Sequence, residues 1–290
     1  MVGCNMCGTE SARPLFSAKG YDLVRCSGCD LAYVANPPDA EGLRRLYSAG
    51  ETEYHAELHD PDSAASRRMA EIAARHLRFT RRFVGAGRLV DVGCSSGEFL
   101  VLAQAAGFAC SGIEFSAESA QQARLRTGLE IERGTLRDTG LEAGSCDVVT
   151  LFDVIEHVPD PLGDLAAAWA LLSPGGWLVL STPNIDGLFP RASFPLAAKL
   201  GYWPHPEPPH HLFQFSQATL SAMVERAGFE VAGVHHCNID LAYTFGTPAT
   251  LARMPKRLAY AAVFAPVAKL GPLVGQGDWI YLAARKPLAS

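Results

Sequence analysis

A chain of 290 residues, 48% hydrophobic and 19% charged, is long enough for one α/β domain with a smaller appendage and can bury a sizeable core. Its 25 basic and 30 acidic residues give a net charge of −5, which argues against a general nucleic-acid binder. No positively charged leader and no uninterrupted apolar run of spanning length is evident, so a soluble cytoplasmic protein without a membrane span is expected.

The eight cysteines divide into two groups. Cys94, Cys110, Cys146 and Cys237 are scattered singly, whereas Cys4-x-x-Cys7 and Cys26-x-x-Cys29 form paired knuckles. Paired knuckles read as a tetrahedral four-cysteine zinc site in a reducing compartment, with a redox-active or disulfide pair as the alternative. Residues 1–36 are therefore expected to form a zinc ribbon, with Tyr21 to Arg25 as a strand leading into Cys26. So short a segment cannot close a core alone, and the metal would supply its folding energy. Basic and acidic side chains balance over residues 1–48, a poor basis for phosphate binding, so the metal is expected to be structural.

Asn36-Pro37-Pro38 ends the ribbon, and residues 37–64 read as a linker or cap carrying Tyr47, Tyr54, His55 and His59. These groups either touch a ligand or belong to a linker surface. Ala65, Met69, Ile72, His76, Phe79 and Phe83 then share one helical stripe, on which His76 reads as a packed core histidine. The β-prone run Leu89 to Val92 enters the turn Gly93-Cys94-Ser95-Ser96-Gly97, and Phe99, Leu100, Leu102 and Ala103 follow at helical spacing. Strand, small-residue turn and helix make half of a nucleotide-binding unit, because glycines admit close backbone approach and the helix N-terminus offers free N–H groups. A second β-like run, Phe108 to Ile113, ends in Glu114, about where a carboxylate reaches ribose hydroxyls. Ser116 is placed to cap the next helix. Asp147 to Phe152 is a near-continuous apolar strand, as a buried parallel sheet requires. It runs into Asp153-Val154-Ile155-Glu156-His157, then a helix from about Pro161, Ser173-Pro174-Gly175-Gly176, and a strand over Trp177 to Ser181.

Asp91-x-Gly93-x-x-x-Gly97, Glu114 and the strand–helix–Pro-Gly-Gly–strand pattern together resemble class I S-adenosylmethionine-dependent methyltransferases over about residues 65–235. The resemblance implies a Rossmann-like α/β sheet with helices on both faces and a final antiparallel edge strand, preceded here by the zinc ribbon. It implies S-adenosylmethionine as cofactor, held by Asp91, Gly93, Cys94, Ser95, Gly97, Glu114, Phe115, Thr135, Leu136, Phe152 and Asp153. Ser95 stands where the family often has glycine, which stiffens the loop. Asp153, Glu156 and His157 are similar to the E-x-x-E-H signature of ubiquinone-pathway O-methyltransferases, where such side chains can bind a divalent metal. Here aspartate replaces the first glutamate and shortens its reach.

The methyltransferase domain is expected over 65–290. Within it, 184–215, rich in proline, aromatics and histidine, reads as a substrate lid. Residues 241–275 read as an insertion that covers the site or forms a homodimer surface, in preference to one lying on a membrane, because its apolar runs are short and broken by proline. Asp278 to Arg285 reads as the last strand. Leu212-Phe213-Gln214-Phe215-Ser216 resembles an H-L-x-x-F-S element of related enzymes, which implies that His210 or His211 approaches the methyl donor; His157 is a rival base. An imidazole titrates near neutral pH and can take a hydroxyl proton, which favours O-methylation of a small molecule: a sugar, natural product or quinone-like phenol. N- or C-methylation, including that of a nucleotide sugar, and a nicotinamide-dependent oxidoreductase are the competing functions.

Overall fold

The computed structural model describes residues 2–39, 41–43, 45, 64–200, 203, 207–238 and 241–288. Tyr47, Tyr54, His55, His59 and the pair His205 and Pro206 lie outside the described residues.

The chain begins with a small antiparallel sheet. β1 (Ala12–Ala18) turns into β2 (Tyr21–Cys26) through Lys19 and Gly20, both with positive φ (55° and 82°), the geometry of a tight hairpin. β3 (Ala32–Val34), buried throughout, adds beside β2.

The larger sheet alternates strands and helices. In chain order it uses α1 (Ala64–Thr80), β4 (Gly87–Val92), α2 (Glu98–Ala105), β5 (Phe108–Glu114), α3 (Ala117–Thr127), β6 (Ile131–Arg133), β7 (Cys146–Phe152), α4 (Pro161–Leu171) and β8 (Leu172–Pro183). After α5 (Leu188–Leu200), the two-residue β9 (Phe213–Gln214) leaves this sheet and pairs with β3, so the N-terminal sheet has order β1-β2-β3-β9. α6 (Gln217–Arg226) and β10 (Glu230–Cys237) follow. Three helices come next, α7 (Leu241–Phe245), α8 (Pro248–Arg253) and α9 (Pro255–Leu270), with a 3₁₀ turn over Gly271–Val274, and β11 (Trp279–Arg285) ends the described elements.

Strand order is β10-β11-β8-β7-β4-β5-β6, and only β11 runs opposite to the direction of the other six strands. The final strand is antiparallel as expected, but it is not at the edge. Burial explains the correction: Ile280 to Ala284 are all buried and suit an interior strand, whereas β10 alternates exposed and half-buried residues and suits a rim.

Helices cover both faces. α1, α2 and α3 pack Ala73, Phe79, Phe99, Leu100, Ala120 and Ala123 on one side. On the other, α4 and α6 contribute Leu165, Ala168, Leu220, Met223 and Val224. That second core continues into the N-terminal sheet through Met6, Val24 and Tyr33, so the ribbon borrows the core it cannot build itself. Ser116 caps α3 as expected, accepting from Ser119 N–H, and at α6 the structure adds a reciprocal capping box between Ser216 and Thr219. Among the described residues one helical stretch, Pro255–Val274, is long and apolar enough to cross a membrane by length and composition, although Lys256, Arg257 and Lys269 interrupt it, so it is not an unbroken apolar run.

Candidate active site

The strand order changes direction at β4, which has β5 on one side and β7 on the other; in open α/β sheets that is where ligands bind. Three segments leave the carboxyl ends of these strands: Gly93–Gly97 after β4, Glu114–Ser116 after β5, and Asp153–His157 after β7.

Gly93 and Gly97 have positive φ (69° and 87°), and Gly97 is the N-cap of α2 without a side-chain cap. A Cβ on Gly93 would stand 2.5 Å from Val154 Cγ2, so the first and third segments touch here and only glycine fits. Ser95 also adopts positive φ (49°), a conformation that costs a non-glycine residue about 1 kcal/mol or more. Its N–H donates to Glu114 Oε2 at 2.8 Å, and Ser116 N–H donates to Oε1 at 2.8 Å. Glu114 thus ties the glycine loop to the start of α3. Gly134 N–H donates to the Glu114 carbonyl, bringing Thr135 alongside; the Thr135 hydroxyl donates to Asp138 and Leu136 is buried. Phe115 leaves 47% of its surface exposed at the same edge. Cys94 is different: its sulfur packs against Gly112, so only its backbone belongs to the loop.

Asp91 is buried under the loop. The Thr150 hydroxyl donates to it at 2.6 Å, but burial, with the Glu114 charge adding to it, pushes its carboxyl up to about 7. Asp153, with φ 58°, accepts from Ser181 Oγ and from Trp279 Nε1 at 3.0 Å. Burial raises it to about 6 in spite of both bonds. Neither Thr150, Ser181 nor Trp279 carries a local sequence signal for these roles.

Glu156, His157 and His211 each place a ligating atom within 4.8 Å of the others. Asp153, which sequence spacing groups with Glu156 and His157, is not part of this cluster, and His211 takes its place. The loop containing His211 is folded back by two hydrogen bonds, from Leu212 and Phe213 N–H to the Glu156 carbonyl at 2.8 and 3.0 Å. The rings of His157 and His211 meet edge to face at 4.7 Å. His157 Nδ1 lies 2.8 Å from the His210 carbonyl; a carbonyl only accepts, so Nδ1 carries the hydrogen and Nε2 the lone pair. Burial lowers His157 to about 4, leaving a neutral imidazole. Glu156 is fully buried, neither carboxyl oxygen makes a well-formed hydrogen bond, and burial followed by the Asp153 charge raises it well above the usual range. His210 contributes its carbonyl while its own ring is half-buried.

His76 stacks on Phe152 at 4.0 Å and is buried, confirming a core histidine; burial lowers it to about 3. The unfolded chain therefore takes a proton near pH 6.5 that the folded chain refuses, and stability falls as pH drops below 6.5. Between pH 7.5 and 5 this group alone should remove about 2 kcal/mol, and His76→Phe should abolish that share. Urea midpoints of both proteins at the two pH values check this; parallel losses would contradict it.

The four cysteine sulfurs also lie within 4.8 Å of one another, with Cys4 to Cys29 at 3.4 Å and Cys7 to Cys26 at 3.5 Å. Gly28 N–H points to the Cys26 sulfur at 3.3 Å, as a knuckle amide does toward a thiolate. The donor set and spacing fit a tetrahedral zinc ion. The knuckles rest on the larger domain through Asn5, which donates to Asp160 and accepts from Leu162 N–H, and Arg25 pairs with Asp186 at 3.0 Å.

A family model for the methyltransferase domain matches residues 64–234. The ubiquinone biosynthesis O-methyltransferase of Thiobacillus denitrificans is 34% identical over 133 residues, which is 43% of this chain and 57% of that protein. The enzyme of the same description from Xanthomonas euvesicatoria is 32% identical over 165 residues, covering 53% and 67%. The first curated relatives are matched over about half their own length. Among solved structures, an S-adenosylmethionine-dependent methyltransferase from Thermotoga maritima superposes with a TM-score of 0.55 at 20% identity, over 84% of this chain and 99% of that one, a likeness of fold.

Proposed function

The chain belongs to the methyltransferase domain family, and from that premise we propose that it transfers a methyl group from S-adenosylmethionine to a hydroxyl of a small molecule. The cofactor supplies the electrophile, a methyl on a sulfonium. The chain's own residues bind, align and deprotonate.

Glu114 accepts the ribose hydroxyls at the tip of β5, where its two oxygens also take the Ser95 and Ser116 N–H groups. Gly93 to Gly97 lie against the methionine portion, Phe115, Thr135 and Leu136 border the adenine, and Phe152 and Asp153 line the wall between. Asp91 supports the loop from beneath, at the opening of the motif. Glu114→Ala should weaken cofactor binding about ten- to a hundred-fold, since a charge-assisted hydrogen bond is worth roughly 1.5–3 kcal/mol. Calorimetric titration of the folded variant checks this, and unchanged affinity would reduce Glu114 to a brace for the loop.

The observation that carries oxygen over nitrogen is His157: a neutral ring, fixed through Nδ1, with Nε2 able to accept a proton. An amine need only arrive uncharged, whereas a hydroxyl needs a base. His211 meets the same ring and lines the substrate side. Residues 184–215 act as the lid, and a phenol-like hydroxyl is favoured over a sugar by the ubiquinone-pathway relatives. Incubation with methyl-labelled S-adenosylmethionine and parallel sets of phenols, sugars and amines tests the assignment. Label on oxygen is expected; label only on nitrogen or carbon would overturn it.

Glu156 favours a second reading. A buried carboxyl without a well-formed hydrogen bond, beside two imidazoles, suits a divalent cation next to the substrate oxygen. In that reading Glu156, His157 and His211 are the ligands. The zinc at Cys4, Cys7, Cys26 and Cys29 is structural, because four thiolates leave no position for substrate.

A further inference from the structure

Helix α9 and the 3₁₀ turn after it have two unlike faces. Ala261, Phe264 and Ala268 bury themselves against Phe189 of α5 and Phe245 of α7. The other face is apolar and exposed: Leu258, Val263 and Leu270 on α9 leave 48%, 61% and 53% of their surface in water, and Leu273 leaves 80%. With Met254 and Val274, six of the fourteen large apolar side chains most exposed among the described residues fall within residues 254–274. So dense a patch marks a surface that meets an apolar partner.

Charge identifies the partner. Residues 241–277 hold Arg253, Lys256, Arg257 and Lys269 and not one aspartate or glutamate, in a chain of net charge −5. Arg257 donates to the Phe245 carbonyl, while Arg253, Lys256 and Lys269 are exposed around the apolar row. Lysine stems can lie along such a row while their ammonium groups reach outward. We propose that this face docks on an anionic lipid bilayer, with α9 lying in the interface plane.

Two other occupants fit less well. Crossing the bilayer would strip Ala261, Phe264 and Ala268 from their aromatic neighbours and carry Lys269 into hydrocarbon. Two-fold pairing of the face with itself would set lysine against lysine, with no carboxylate in the segment to offset them.

Flotation of the full chain with vesicles tests the proposal, using phosphatidylcholine alone and phosphatidylcholine with about one third phosphatidylglycerol. Binding should be roughly ten-fold or more stronger to the anionic vesicles and should weaken with salt. The double variants V263D/L270D and K256E/K269E, checked for folding by circular dichroism, should each lower it about ten-fold or more. Equal binding to both vesicle types, binding to neither, or retention by both folded variants would overturn the proposal. So would a dimer in sedimentation that the same variants dissolve.

Discussion

His157→Ala should lower turnover by about a hundred-fold or more while affinity for S-adenosylmethionine stays within about two-fold. The ring is not in the glycine loop, so cofactor contacts survive its removal; what disappears is the Nε2 lone pair that takes the hydroxyl proton. His210→Ala should cost far less, because that residue holds His157 with its backbone carbonyl, which alanine also provides. His211→Ala falls between, removing the edge-to-face partner that orients His157. The pH profile adds a readout that loss of packing would not mimic. A base must be neutral to act, and burial places His157 at about 4, so the fall in kcat/KM that protonation of this ring causes should come only toward pH 4. Near-normal turnover in all three variants would reject histidine base catalysis and favour an amine nucleophile.

Cys26→Ser should drop bound zinc from about one per chain to a small fraction, and turnover with it by at least about ten-fold. Structural zinc in small ribbons contributes on the order of 10 kcal/mol of folding free energy, more than any side chain in the segment. The effect reaches the active site through a short path. Cys26 closes β2, β2 pairs with β3, and β3 pairs with β9, where Tyr33 faces Phe213. Val34 N–H also donates to the Leu212 carbonyl at 2.9 Å. Loss of the ribbon therefore loosens the segment that carries His211 and supplies the His210 carbonyl to His157. Metal analysis and turnover of the purified variant check both halves. Zinc retained at full stoichiometry would remove Cys26 from the ligand set; zinc lost with turnover intact would uncouple the ribbon from catalysis.

The sequence announces what is local and hides what is distant. The glycine loop, the Ser116 cap, the apolar β7 and the cysteine knuckles each depend on a few adjacent residues with fixed chemistry, and all stand where the spacing puts them. Asp153 illustrates the opposite case. Its spacing to Glu156 and His157 suggests a ligand triad, yet Trp279, 126 residues away, and Ser181 take its carboxylate. His211 is brought to the cluster where two amides of its loop bond the Glu156 carbonyl, a contact with no periodicity to betray it. A two-residue strand such as β9 has no pattern of its own, so the seating of the ribbon on the larger domain is likewise invisible. The inward place of β11 follows from the competing burial of two strands, which one strand's composition does not reveal.

Titration of the purified chain with S-adenosylmethionine, and separately with a nicotinamide dinucleotide, decides whether the glycine loop and Glu114 serve a methyltransferase. One equivalent of S-adenosylmethionine should bind, with the dinucleotide producing no heat of binding. Binding of the dinucleotide in its place would rule out methyl transfer from S-adenosylmethionine, because the glycine turn and Glu114 would then serve an oxidoreductase.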